Sequence, residues 1–357
     1  MNIGKALAIT ALALGLNQVE AAGTQDITGA GSSAAAPIYR SWATEYQKSS
    51  GVSLAYESIG SSAGLKKIRS SQTGFGASDV APAQEELKKD GLVLFPIAIT
   101  GIAPVVNLPK IGDTPLRLSG PVLARIFLGD ITQWNASAIA QLNPDMALPD
   151  LPIKVVVRSD GSGTTYNFAD YLAKVHPMWK ERYGVKTSLS WPAHFTAAKG
   201  SEGVVNAVKE TPGAIGYVDY GYVKVNKLRA VQLKNAEGEF IPPAIAAFRT
   251  ALLNSDWGHK GTFTSTLTDM PGKGAWPITM GTFAVVPQIT EHPEQTLHVL
   301  QFFIWAFMNG DTLVQQNNFV RLTDRIQALA FKEITSVRDK SGKSLNLSLK
   351  QPKIELR

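Results

Sequence analysis

The chain has 357 residues, of which 44% are hydrophobic and 18% are charged, and its formal net charge is +6. A chain of this length and composition can bury a large core in one large or two medium domains, which excludes a disordered or fibrous protein. The basic residues are scattered among 29 acidic ones without a basic run or an aromatic ladder, so nucleic-acid binding is not indicated. A mild positive field still favours anionic ligands.

The first 22 residues are typical of a secretory signal peptide. Lys5 precedes an apolar run at 6–16, and Ala21 and Ala22 are the small residues expected at a cleavage site. This run is too short to span a bilayer, and the apolar stretch at 298–308 is about half the length that a span needs. The sequence contains no cysteine, which excludes disulfides and lipid attachment at an N-terminal cysteine. We therefore expect an exported periplasmic protein with no membrane anchor.

Strand-like and helix-like runs alternate along the chain, which predicts an α/β fold with largely parallel sheets. In chain order the predicted elements are a helix at 37–47, a strand at 52–58, a helix at 63–70, strands at 97–108 and 153–157, a helix at 164–175, a strand at 282–287 and a helix at 294–309. A polar, weakly patterned tail follows residue 336.

The two apolar runs at 97–108 and 282–287 flank a large central block. If both runs are strands that cross between two sheets, the central block is an inserted domain and the end of the chain returns to the first one. This interpretation gives lobe I at 23–104 plus 283–357 and lobe II at 105–282, with a ligand cleft between them. A single sheet with a long insertion is the alternative.

Three turns rich in glycine and serine each lead from an apolar run into a helical pattern. They lie at 29–33, 60–64 and 158–164. A helix start carries free amide groups and about half a positive charge, so three such turns aimed at one point would bind a small oxyanion. A serine before a helix is also an ordinary cap, and one turn alone is therefore weak evidence.

Arg158 and Asp79 are the charged candidates for this site. Arg158 ends a predicted strand, and its guanidinium matches the geometry of an oxyanion, although an ion pair with Asp160 is an alternative role compatible with the first. An ionised Asp79 can only accept a hydrogen bond, so it would accept a protonated phosphate and reject sulfate. Its alternative role is a cap on a helix at 83–89.

An enzyme is the alternative class of function. The turn at 60–64 satisfies the hydrolase pattern G-x-S-x-G, with Ser62 at the nucleophile position. Five histidines could supply a base, but none has a recognisable catalytic signature: His176, His194, His259, His292 and His298. No metal-binding spacing, nucleotide motif or other cofactor motif is found. We expect a binding protein without a cofactor.

Five motifs resemble those of the periplasmic phosphate-binding proteins of bacterial phosphate-specific ABC transporters. The motifs lie at 28–31, 59–62, 75–79, 160–164 and 212–218, in the order and spacing of that family. The resemblance implies a two-lobed type II periplasmic binding protein fold, each lobe a mostly parallel sheet flanked by helices, which closes around inorganic phosphate. It also implies a monomer that delivers phosphate to inner-membrane ABC permease subunits. The alternatives left open are a serine hydrolase and a binding protein for another oxyanion.

The same resemblance implies a set of phosphate-binding residues, with Asp160 in support of Arg158. They are Ser33, Ala34 through its backbone amide, Ser61, Asp79 as the acceptor of the phosphate proton, Arg158, Ser162, Gly163 and Thr164. Two departures from the family are visible. The sequence Ser33-Ala34-Ala35 stands where the family has Thr-Phe-Pro, and residues 346–357 extend beyond the usual family end.

Overall fold

The computed structural model describes residues 27–109, 111–112, 114–260 and 263–347. The predicted signal peptide at 1–22 and most of the predicted extension, from residue 348 onward, lie outside the described residues. No helix within these ranges is long and apolar enough to cross a membrane.

The strands are short at the edges of the sheets and long at the centre. In the described residues they are β1 (Ile27–Gly31), β2 (Leu54–Ser58), β3 (Phe75–Ser78), β4 (Leu92–Val106), β5 (Arg117–Leu118), β6 (Lys154–Arg158), β7 (Thr196–Ala198), β8 (Ala214–Asp219), β9 (Arg229–Ala230), β10 (Gln232–Lys234), β11 (Phe240–Ile241), β12 (Leu267–Thr268), β13 (Ile278–Pro287), β14 (Ile289–Thr290) and β15 (Arg338–Asp339).

The helices alternate with the strands over most of the chain. In the described residues they are α1 (Ala36–Ser50), α2 (Ser61–Arg69), α3 (Gln84–Lys89), α4 (Gly120–Leu128), α5 (Ser137–Ala140), α6 (Gly163–Val175), α7 (Pro177–Arg182), α8 (Gly200–Glu210), α9 (Tyr220–Asn226), α10 (Ile245–Leu253), α11 (Asp256–Lys260), α12 (Pro293–Asn309), α13 (Asp311–Gln316) and α14 (Asp324–Ser336).

The main sheet is mixed and follows the order β2-β1-β3-β13-β4-β8-β6-β7. Strand β4 belongs to both halves of the sheet. Its residues 92–101 pair with β13, and its residues 102–106 pair with β8. We call β2, β1, β3, β13 and residues 92–101 segment I, and residues 102–106, β8, β6 and β7 segment II. The outer strands of each segment are parallel, whereas β13 and β8 run antiparallel to β4.

The two predicted crossing runs are observed as the longer strands β4 and β13. All fifteen residues of β4 are buried, so the strand has apolar side chains on both faces and shows no alternation. A bulge between Thr282 and Phe283 of β13 lies opposite Pro96 and Ala98 of β4. A bulge is one of the few places where a central strand tolerates proline. The predicted domain boundaries after residues 104 and 282 fall inside these two strands and stay a prediction.

Helix α2 lies unusually close to β1. A Cβ atom built on Gly64 of α2 would lie 2.4 Å from the Cα atom of Gly31 and 2.5 Å from the carbonyl oxygen of Ala30. Only glycine permits this backbone-to-backbone contact. The contact therefore fixes the start of α2 directly above the end of β1.

Candidate anion-binding site

The three predicted turns come together where β1, β3 and β6 end. The Ser32 hydroxyl donates to Oδ2 of Asp79 at 2.7 Å, which joins the first turn to the end of β3. The amide of Gly163 donates to Oγ of Ser61 at 3.2 Å, which joins the third turn to the second. Residues from both segments thus line one buried polar site.

Asp79 lies at the centre of this site and is almost fully buried. Its Oδ1 atom is buried and has no hydrogen-bond partner among the described residues. The backbone around it is held by Ser61, whose Oγ accepts from the Asp79 amide at 3.2 Å, and by Asn167, whose Nδ2 donates to the Asp79 carbonyl at 2.8 Å. Helix α3 begins after Ala83 without a side-chain cap, so the alternative role of Asp79 as a helix cap is wrong.

Burial raises the pKa of the Asp79 carboxyl above its ordinary value, because the low dielectric surroundings penalise the charged form. Ser32, Thr282, Arg158 and Ser61 oppose this rise but do not cancel it. The Thr282 hydroxyl approaches the carboxylate without a hydrogen bond of ordinary geometry and has no partner elsewhere in the described chain. The site therefore holds a buried carboxyl whose Oδ1 atom is left without a partner in the described residues.

Arg158 supplies the positive charge and is 4% exposed. Its Nε and Nη2 donate to the two carboxylate oxygens of Asp160 at 2.7 and 2.5 Å, and Oδ1 of Asp160 also accepts from the Gly200 amide at 3.0 Å. Nη1 has no hydrogen-bond partner in the described residues and can donate to a further acceptor. The ion pair with Asp160 proposed from the sequence is thus present, but it is buried rather than on the surface.

Burial on its own raises the pKa of the Asp160 carboxyl, yet the hydrogen bonds and charge of Arg158 outweigh it, and the pKa lies below its ordinary value. The pair is therefore ionised at neutral pH. This carboxylate fixes the plane of the guanidinium and leaves its free edge for a ligand.

Helix α6 begins at the third turn. Oγ of its N-cap residue Ser162 accepts from the Thr165 amide at 3.1 Å, and the Ser162 amide donates to the Thr187 carbonyl at 2.9 Å. Ser162 can therefore offer a ligand its hydroxyl proton but not its amide. The Thr164 hydroxyl is buried and has no partner in the described residues, which leaves it free to donate.

Ser33 and Ala34 lie at the first turn, just before α1. Oγ of Ser33 accepts from the Ser201 amide at 3.2 Å and lies 3.0 Å from the Ser201 hydroxyl, and the Tyr222 hydroxyl donates to the Ser33 carbonyl at 2.9 Å. Ser33 thus joins the first turn to α8 and α9. The backbone amide of Ala34 makes no hydrogen bond within the described residues, so it is the group that this position can offer.

Ser32, Asn167 and Ser201 were not predicted from the sequence. Oγ of Ser32 accepts from the Ala35 amide three residues on, at 3.1 Å, a local capping pattern that could have identified it. Asn167 lies one turn after Gly163 in α6 and donates to its carbonyl, so helical spacing could have placed it. No sequence signal points to Ser201, which meets Ser33 across 168 positions.

The serine hydrolase alternative is not supported. The Ser62 hydroxyl donates to Oγ1 of Thr187 at 3.0 Å, and Ser61 contacts Asp79 and Gly163. Neither serine is hydrogen-bonded to a histidine in the described residues, so the serine–histidine pair that activates a hydrolase nucleophile is not formed there.

Comparisons with known proteins place this chain in a family. A family model described as a PBP superfamily domain matches residues 17–303. The phosphate-binding protein PstS of Xylella fastidiosa is 43% identical over 296 residues, which cover 83% of this chain and 81% of the relative. PstS of Pasteurella multocida is 42% identical over 322 residues, which cover 90% of this chain and 93% of the relative.

A solved structure, PfluDING, shares the fold. It is described as a high affinity periplasmic phosphate-binding protein bound with phosphate, and it matches with a TM-score of 0.68 at 22% identity over 86% of this chain and 93% of that chain. The predicted binding-protein fold is confirmed, with a mixed sheet in place of the mostly parallel sheets expected. The chain belongs to the PBP superfamily and, within it, to the family of the phosphate-binding protein PstS.

Proposed function

We propose that this protein binds inorganic phosphate in the periplasm and delivers it to the inner-membrane permease of an ABC importer. One observation carries the proposal: a buried site holds the Arg158 guanidinium together with a carboxylate oxygen, Oδ1 of Asp79, that has no partner among the described residues. The family is one of transport binding proteins rather than enzymes.

The donors of the site suit the negative oxygens of phosphate. The proposed donors are Arg158 Nη1, the Thr164 and Ser162 hydroxyls, and the backbone amides of Ser61 and Thr164 at the starts of α2 and α6. The neighbouring Ser62 and Gly163 amides already donate to Gly161 and Ser61. A hydrogen bond to a charged group contributes about 1.5 to 3 kcal/mol, so about four of them would give roughly micromolar affinity. The helix starts add a favourable dipole.

Asp79 is the proposed source of selectivity. An ionised carboxylate can only accept, so it stabilises an anion that brings a proton and repels one that does not. Phosphate near neutral pH carries at least one proton, whereas sulfate carries none. Oδ1 of Asp79 is the proposed acceptor of that proton, since Oδ2 already accepts from Ser32.

Binding by one chain with closure of the two segments is the proposed mode of action. Ala34, Ser61 and Asp79 come from the segment I side, and Arg158, Ser162 and Thr164 from the segment II side, so one chain supplies every proposed ligand. Ser33 and Gly163 hold the turns through Ser201 and Ser61. Export through the predicted signal peptide is part of the proposal and is supported by the periplasmic description of the solved relative.

Calorimetric titration with phosphate, arsenate, sulfate and molybdate tests the proposal. We expect saturable binding heats for phosphate and arsenate, because both carry a proton near neutral pH. We expect no saturable heat for sulfate or molybdate. Saturable binding of sulfate with an affinity equal to that of phosphate would show a general oxyanion site. Absence of phosphate binding by freshly refolded, phosphate-free protein would exclude the proposed function.

A further inference from the structure

A further contact joins the two segments at the rim of the anion site. Ser62, in the first turn of α2, donates its amide to the Gly161 carbonyl at 3.1 Å and its hydroxyl to Oγ1 of Thr187 at 3.0 Å. The carbonyl of Thr187 accepts from the Ser162 amide, so Thr187 is tied to the start of α6. We call Ser62, Gly161 and Thr187 the closure contact.

The closure contact leaves no room for a side chain at Gly161. A Cβ atom built there would lie 2.5 Å from both Cβ and Oγ of Ser62, and the three nearest heavy atoms all belong to Ser62. Real Cβ atoms do not approach that closely, so an alanine at this position would push the two turns apart. Gly161 does not have a positive φ angle, and its backbone conformation is therefore open to alanine.

The same side chains are not placed to bind the anion. The Ser62 hydroxyl is used by Thr187, and the Ser62 amide is used by Gly161, whereas the neighbouring Ser61 contacts Asp79 and Gly163. Ser62 and Gly161 are half-buried, in contrast to the buried Ser61 and Gly163. The closure contact thus lies outside the anion site but forms between the same two turns.

We infer that the closure contact determines how tightly the two segments close and hence how long a bound anion is retained, without touching that anion. The inference rests on the proposed function. Each phosphate contact from the α6 side needs the two turns at their observed separation, and the closure contact maintains that separation. Loosening it lets the anion leave faster while each segment keeps its own donors.

The variant Gly161→Ala tests this role in full-length protein. We expect phosphate affinity to fall about ten- to hundredfold, mostly through faster dissociation measured by stopped-flow release. The control Gly203→Ala adds the same methyl group within α8, where the nearest atom lies 3.5 Å away, and should leave binding unchanged.

Making Gly161→Ala in a second variant background distinguishes an effect on closure from an effect on folding. Ser62→Gly removes the side chain that the new methyl group would meet, so Gly161→Ala should have little effect on dissociation when it is made in Ser62→Gly. The inference would be overturned if Gly161→Ala raised the phosphate dissociation rate equally in both backgrounds. It would also be overturned if Gly161→Ala alone bound phosphate like the wild type. This cycle does not require that Ser62→Gly itself bind like the wild type.

A phosphate-free readout distinguishes failure of this inference from failure of the proposed function. The chain has no cysteine, so Lys66→Cys in α2 and Asn206→Cys in α8 can carry paired spin labels at exposed positions. We expect Gly161→Ala to lengthen the label distance with and without inorganic phosphate. An unchanged distance would overturn the closure role, whereas a wild type that does not bind phosphate in the titrations would overturn the proposed function instead.

Discussion

Two aspartates of the anion site, Asp79 and Asp160, lie near the same arginine but differ in burial and in how many of their carboxylate oxygens accept hydrogen bonds. Asp160 is bridged by Arg158 through two hydrogen bonds and by the Gly200 amide, and its pKa is lowered. Asp79 is more deeply buried, accepts from Ser32 through one oxygen, and has a raised pKa. One carboxylate is therefore committed to holding the cation, and the other is available to a ligand.

The difference shows that the charge of a residue does not decide its role at an anion site. A carboxylate whose oxygens are all satisfied neutralises part of the arginine and makes its burial possible. A carboxylate with an unsatisfied oxygen is costly until a donor reaches it, and a protonated anion brings that donor. Four variants test this contrast, in order of expected effect.

The largest effect is expected for Arg158→Ala. Removing the cation leaves the Asp160 carboxylate buried without its partner, so the free energy of unfolding should fall by about 3 to 5 kcal/mol, and phosphate binding should be lost. Urea unfolding and calorimetry measure the two effects. The double variant with Asp160→Asn should regain stability but not binding, and Arg125→Ala, at an exposed position, is the matched control. Retained phosphate affinity in Arg158→Ala would assign the arginine a structural role only.

The next effect concerns Asp219, a third buried carboxyl, which Thr100 and the Gly221 amide contact where β4 passes between segments. Burial chiefly, with the charge of Asp79, raises the pKa of Asp219 to about 7. The folded protein therefore holds a proton that the unfolded chain releases near pH 4, and this stabilisation is complete below that pH and lost as pH rises through about 7.

Urea unfolding of wild type and Asp219→Asn between pH 4 and pH 8 measures this loss. We expect the wild type to lose stability relative to the variant as pH rises, by on the order of 4 kcal/mol at most over the interval. A difference between the two proteins that does not change with pH would contradict a raised pKa at Asp219. The variant Asp130→Asn, at an exposed position, should follow the wild type.

A smaller effect is expected for Asp79→Asn, which replaces an acceptor-only group by one that can also donate. Sulfate affinity should rise about ten- to hundredfold, because the amide no longer repels an unprotonated anion. In the wild type, sulfate binding should also grow as pH falls toward the raised pKa of Asp79, since the protonated carboxyl becomes a donor. Calorimetry at several pH values measures both, and sulfate rejection that survives in Asp79→Asn would remove Asp79 from the proposed selectivity.

The smallest effect is expected for Ser32→Ala. Loss of one neutral donor to the Asp79 carboxylate should weaken phosphate binding by about 1 kcal/mol, or several-fold. Because Ser32 lowers the pKa of Asp79, its removal should move the onset of sulfate binding to higher pH. Ser190→Ala, at an exposed position, serves as the control in the same titrations. An onset at the wild-type pH would show that Ser32 does not act on the carboxyl.

Much of this site could be predicted from local chemistry. The ends of β1 and β6 and the starts of α2 and α6 follow from apolar runs that stop at glycine and serine, and Arg158 and Asp79 are singled out by their charge. Ser201 and Gly200 could not be predicted, because they reach Ser33 and Asp160 only through the tertiary fold.

Two other differences have local causes. The predicted strand at 97–108 begins five residues after the observed start of β4 at Leu92. Proline ordinarily argues against a central strand, so Pro96 favours a later start, but a bulge accommodates it here. The sequence favours Ser33 as the serine of the first turn that contacts the anion. Residue propensity cannot decide between Ser32 and Ser33, because the side chains of adjacent turn residues point in different directions. Ser32 meets Asp79, and Ser33 meets Ser201.

The contact between Gly31 and Gly64 bears on how this protein can change over time. Two backbones that touch directly leave the orientation of α2 independent of the size or rotamer of any side chain between them. Mutations in the surrounding core can therefore alter stability while the amides at the start of α2 keep their direction toward the anion site. Divergence of the core and preservation of the anion site are separable in this architecture, which lets distant sequences retain one recognition geometry.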